Sequence, residues 1–195
     1  MILRVVNHKF HYEMENLCRV FFPYETIRVI KGDSDETDDI TAVTSMSGEY
    51  VVGVSVNING TTGAKERAVA DYDDCEREMA ILLFSLLSEI TGYVPKWGIL
   101  TGVRPSKLMN SLIKDYGDDG AKKYFTDKLL VCGKKTELAY SVAKAEEKIM
   151  SLSDEKSFSQ YVSIPFCPTR SNYCSFVSHS IAQAKKLLPD YVENL

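Results

Sequence analysis

The stretch IPFCPTRSNYCSF, residues 164–176, holds the side chains with the most chemistry in the chain. Cys167 and Cys174 stand seven positions apart, and Ser171 falls four after the first and three before the second. With a thiol at the middle position the loop would read Cys-x3-Cys-x2-Cys. Three thiolates on one tight loop can ligate three irons of a [4Fe–4S] cube and leave the fourth iron open, because thiolate is soft and strongly donating. Serine is a poor substitute. Its hydroxyl loses a far less acidic proton and then offers hard oxygen. A cluster held by Cys167 and Cys174, with weak help from Ser171, is expected to assemble poorly or to be labile. The alternative is two ordinary thiols in a loop.

Other residues offer weaker chemistry. His179 follows the cysteine loop and could reach a bound molecule or simply face water. Arg170, inside the loop, could balance an anionic cluster or be solvated. Arg104 follows two glycines and could grip a carboxylate bidentately, or it could pin a domain junction. His8 and His11 sit three apart at the start of an expected helix, where surface or capping roles are expected because no third ligand is near in sequence. The acidic run GDSDETDD, residues 32–39, invites a calcium reading, but the EF-hand loop needs Gly where Asp38 stands. Cys18, Cys75 and Cys132 lie apart on apolar or helical stretches and are expected to be buried or semi-buried small hydrophobes. No Gly-rich phosphate loop and no Ser/His/Asp pattern is present.

These residues need elements to hold them. Residues 2–6 read as a strand, and Phe10, Met14, Leu17 and Phe21 recur at helical spacing before Pro23. Strands follow over 26–31, 40–46 and 50–58. Val52, Val54, Val56 and Ile58 alternate along the last of these as on a half-buried strand. Asn59-Gly60 and Gly63 read as turns. Asp71, Asp73 and Asp74 then introduce a helix with the stripe Met79, Leu82, Leu83, Leu86, Leu87 and Ile90, leaving at Gly92. The order β-α-β-β-β-α over residues 1–95 predicts an α+β domain: antiparallel strands with helices on one face. Residues 96–152 predict a helical linker domain with helices over 105–115, 119–131 and 135–151. Residues 159–164 read as a strand running into the cysteine loop. Residues 181–195 read as a helix weakened by Pro189.

The bulk properties narrow the function classes. With 195 residues, 45% hydrophobic and 26% charged, the chain can bury a core. No apolar run is long enough to span a bilayer, and the N-terminus lacks the features of a signal peptide, so a cytoplasmic location is expected. Five cysteines, an odd number, argue against a disulfide framework. Residues 1–95 carry 8 Lys and Arg against 16 Asp and Glu, and residues 96–150 carry 11 against 7. The acidic first half and scattered lysines argue against nucleic-acid binding.

Residues 159–179 resemble the signature region of the radical S-adenosylmethionine enzymes. The motif's first and third cysteines fall on Cys167 and Cys174, its aromatic residue falls on Tyr173, and YVSIPF matches the first barrel strand. Within that superfamily, SIPFCPTR and YCSF most resemble the oxygen-independent coproporphyrinogen III oxidases. The string WGILTGVRPSKL, residues 97–108, is similar to a branch with an N-terminal extension before the barrel. The resemblance implies a [4Fe–4S] cluster at Cys167, Cys174 and the Ser171 position. It implies S-adenosyl-L-methionine with its adenine near Tyr173 and beside Phe166, and an external electron donor. The implied activity is that of an oxidoreductase of haem biosynthesis. The 5′-deoxyadenosyl radical takes a hydrogen from a propionate of coproporphyrinogen III, and loss of an electron and carbon dioxide leaves a vinyl group. A tetrapyrrole substrate implies carboxylates for Arg104 to meet and a molecule within reach of His179. A radical S-adenosylmethionine barrel is expected to take roughly 200 residues beyond its signature, by analogy with other β/α barrels. Residues 153–195 are therefore expected to form the first β/α unit of a truncated barrel, and the chain alone to be inactive. Two other readings stay open: a tetrapyrrole or haem carrier of the same architecture, and a non-catalytic interaction module.

Overall fold

The computed structural model describes residues 1–195 except Glu155, Arg170, Asn172, Tyr173 and Val177. It divides into two units, Met1–Leu152 and Ser153–Leu195. In the first, β1 (Ile2–Val6), α1 (His11–Phe21), β2 (Arg28–Lys31), β3 (Ile40–Ser47), β4 (Val51–Ile58), β5 (Thr61–Ala68) and α2 (Tyr72–Thr91) follow in order. The sheet order is β2-β1-β3-β4-β5.

The sheet is mixed, not antiparallel as expected. β1 runs parallel to both β2 and β3, while β3, β4 and β5 are antiparallel. The cause is α1. A helix between two adjacent strands returns the chain to its starting end, so the second strand must run parallel to the first. The sheet also has a strand that the turn reading missed. Gly63 lies within β5, opposite Val56, where a Cβ would sit 2.9 Å from the Leu86 side chain of α2. Glycine is there for close helix packing. Lys65 and Arg67 follow it on the same face and pair with Glu89 and Glu78 of α2.

Alternation places Leu3 and Val5 of β1 and Val52, Val54 and Val56 of β4 on the face that meets Met14 and Leu17 of α1 and Met79, Leu83 and Leu87 of α2. α2 starts on Asp71, whose carboxylate accepts from the Asp73 N–H at 3.1 Å. It ends on Gly92, whose φ is 70°.

α3 (Pro105–Asp127) and α4 (Gly133–Met150) bury Met109, Leu112, Phe125, Ala139 and Ala143 in a second cluster. Gly117, with φ 73° and ψ 176°, interrupts α3 where a break was expected. The helix ends at Asp127, short of 131, because residues 129–132 pair with the WGIL segment. Ile99 N–H donates to Leu129 O and Cys132 N–H to Lys96 O, each at 3.0 Å.

In the second unit, β6 (Phe166–Cys167) and β7 (His179–Ser180) form a two-residue parallel pair. They are followed by α5 (Ile181–Ala184), a 3-10 turn at Lys185–Leu187, and α6 (Leu188–Glu193). The strand expected over 159–164 is not formed. Its backbone finds no ladder, and pairing begins only at Phe166. The helix expected over 181–195 is broken before Pro189, which lies in the first turn of α6 and cannot continue the preceding ladder. Among the described residues, no helix is long and apolar enough to cross a membrane.

Candidate functional site

The loop between β6 and β7 carries the cysteines. Cys167 ends β6, and its thiol donates to Thr169 O. The Cys174 N–H donates to Ser171 O at 3.0 Å. Both cysteines are half-buried and Ser171 is exposed. Phe166 packs edge-on against Tyr191 of α6, with ring centroids 5.4 Å apart and planes at 80°. The Tyr191 hydroxyl donates to Ser163 O. His179 N–H donates to Pro165 O at 2.7 Å, which sets β7 beside β6 and leaves the imidazole exposed. The fold thus brings Phe166, Cys167, Ser171, Cys174 and His179 into one small unit. Tyr173 and Arg170 lie outside the described residues.

A three-thiolate cube needs three soft donors on this loop, and the chain supplies two sulfurs and one exposed hydroxyl. Among the described residues, no three His, Cys, Asp or Glu side chains gather in a metal-holding arrangement. The donor set does not fit a [4Fe–4S] cluster with three protein thiolates.

The remaining candidates serve the first unit. His8 Nε2 lies 3.0 Å from Thr44 Oγ1, and His8 Nδ1 accepts from the Phe10 N–H at 3.2 Å. Thr44 Oγ1 donates to Arg4 O, so His8 is the donor to Thr44 and is neutral. Burial holds its pKa below 6.5, the Thr44 contact opposes this, and nearby His11 adds to it. His11 lies 3.1 Å from Lys9 O. The acidic loop binds its own sheet. Asp38 pairs with the Met1 ammonium at 2.9 Å, and Glu36 pairs with Arg28 and accepts from Arg4 through its carbonyl. The Met1 ammonium holds the Asp38 carboxyl below its ordinary range. Cys18 and Cys75 are fully buried. Desolvation, with Glu15 nearby, pushes Cys18 up to about 12.

Arg104 precedes α3 and is exposed. It lines a groove with Lys107, Asn110 and Lys114. Their i, i+3, i+7 spacing puts these three on one face of α3, a signal that was present in the sequence.

The fold and loop define a mixed α/β protein carrying a cysteine-bearing β/α segment. The chain is 28% identical over 188 residues to the oxygen-independent coproporphyrinogen-III oxidase-like protein HemZ of Bacillus subtilis (strain 168). The match covers 89% of this chain and 36% of that protein, so the chain spans about a third of the relative's length. No protein-family model and no solved structure matches it.

Proposed function

We propose that these residues form the N-terminal part of an oxygen-independent coproporphyrinogen III oxidase-like protein of haem biosynthesis, within the radical S-adenosylmethionine superfamily and acting in the cytoplasm. The similarity to HemZ along most of the chain carries this reading. The placement of Phe166, Cys167, Ser171 and Cys174 at the end of a strand and its following loop supports it. The oxidative decarboxylation, the tetrapyrrole substrate and the electron donor belong to a protein that also includes the remainder of the relative's length. The loop's donor set does not fit the cluster that this chemistry needs, so the chain as it stands supplies no electron-transfer step. Ser171 favours a second reading, a tetrapyrrole-binding carrier of the same architecture that needs no cluster.

The test uses a version extended to the relative's length, with Ser171 and with Ser171→Cys. Both are reconstituted anaerobically with iron and sulfide. The reading expects 5′-deoxyadenosine release and loss of carbon dioxide from coproporphyrinogen III in the Cys form. A Cys form that neither retains iron nor cleaves S-adenosylmethionine overturns the oxidase reading. Saturable haem binding by both forms would then support the carrier.

A further inference from the structure

The start of α3 and the end of α4 border a groove of about 680 Å3, within the roughly 300–1,000 Å3 typical of small-molecule sites. Lys107, Asn110 and Lys114 line it from one face of α3, with Arg104 just before the helix. Ile113 adds an apolar side chain from α3. Ile149 and Met150 supply more from α4 and are each 68% exposed.

The three cations are exposed, and among the described residues their side chains make no ion pair or hydrogen bond. Two other lysines of these helices are paired, Lys122 with Glu137 at 3.0 Å and Lys144 with Asp118 at 3.1 Å, so it is the apolar lining beside them that sets the unpaired Lys107 and Lys114 apart. The carboxylates of the groove are already engaged. Glu146 accepts from Ser106 Oγ at 3.1 Å and from Asn110 Nδ2 at 3.4 Å, and Glu147 pairs with Lys144 at 3.2 Å. Uncommitted cations therefore rim an apolar surface that water meets at a cost. A ligand with an apolar body and carboxylates at its edges satisfies both. The rise of a helix sets Lys107 and Lys114 about 10 Å apart along α3, which is the separation the carboxylates must span.

We propose that this groove binds an amphipathic polycarboxylate, its apolar body against Ile113, Ile149 and Met150 and its carboxylates on Arg104, Lys107 and Lys114. The site is independent of the cysteine loop and needs no cluster.

The 195-residue chain is titrated with two probes, coproporphyrin III (a macrocyclic tetracarboxylate) and dodecanedioate (a linear dicarboxylate). The tetramethyl ester of coproporphyrin III is the uncharged control. Saturable one-to-one binding of at least one acid is expected, weakened by salt and absent for the ester. Which acid binds tells a macrocyclic ligand from a linear one. Lys107→Gln/Lys114→Gln should weaken binding about tenfold through two lost charge-assisted contacts, while Lys107→Arg/Lys114→Arg should retain it. Cys167→Ser should leave it unchanged, so failure here stays separate from failure of the cluster experiment. Far-UV circular dichroism checks that each variant is folded. The proposal is overturned if neither acid saturates, if the ester binds as well as the acid, or if the folded Gln variant binds like the native chain. It is also overturned if a Leu/Glu-rich amphipathic peptide saturates where neither acid does.

Discussion

Replacing Gly98 by alanine should damage the first unit far more than replacing Gly102, although both glycines have left-handed backbones, with φ of 59° and 69°. Alanine at such φ costs about 1–2 kcal/mol by itself. Around Gly102 a new Cβ meets nothing within 4 Å, so the cost ends there. At Gly98 the Cβ would lie 2.0 Å from Leu129 O and 2.5 Å from the Leu130 carbonyl. The two segments must part, and the Ile99–Leu129 and Cys132–Lys96 backbone hydrogen bonds go with them. At about 1 kcal/mol for each bond, Gly98→Ala should cost about 3–4 kcal/mol in all. At about 2–4 °C per kcal/mol for a unit of this size, Tm should fall by about 10 °C, against about 4 °C for Gly102→Ala. Thermal melts followed by circular dichroism, with urea titrations for free energy, measure both. Equal losses would refute the claim that close approach of the 129–130 backbone, and not φ alone, demands glycine at 98.

Three other outcomes follow from burial and charge. His8 has a folded pKa below 6.5, so its contribution is present above the unfolded value of about 6.5 and is lost as pH falls through the folded one. Urea midpoints measured from neutral to mildly acidic pH should decline more steeply for the native chain than for His8→Gln, and parallel slopes would contradict this. Leu83 is wholly buried between sheet and helices, and Leu83→Ala should cost about 2–5 kcal/mol, read from the urea midpoint. The Cys18 thiol, pushed to about 12 and buried, should resist a thiol reagent at neutral pH until the protein unfolds. Fast labelling of Cys18 in the folded protein, located by peptide mass, would count against that burial.

Local signals in the sequence were legible where one element decides its own form. The stripe from Met79 to Ile90, the Asp71 and Gly92 boundaries of α2 and the break at Gly117 all recur in the structure. The β3–β4 pair was legible too, but the rest of the pairing was not. The parallel setting of β1 and β2 depends on the path through α1. β5 was hidden because Gly63 reads as a turn until Leu86 of α2 is seen against it. The strand expected over 159–164 runs straight into the cysteine loop, but among the described residues its backbone has no neighbouring strand to bond. At the loop, the spacing of Cys167, Ser171 and Cys174 was plain from the chain alone, and the structure adds that Ser171 is exposed. The groove beside Arg104 was not legible. Lys107 and Lys114 look like ordinary surface lysines until α4 brings Ile149 and Met150 opposite them.

Iron and acid-labile sulfide retained per chain, after anaerobic reconstitution and gel filtration, test the loop most directly. The native chain with Ser171 should lose its iron on the column, and Ser171→Cys should keep more of it, with sulfur-to-iron charge-transfer absorbance. Equal retention by the two chains, at the four irons of a complete cube, would contradict the conclusion that the middle ligand is missing.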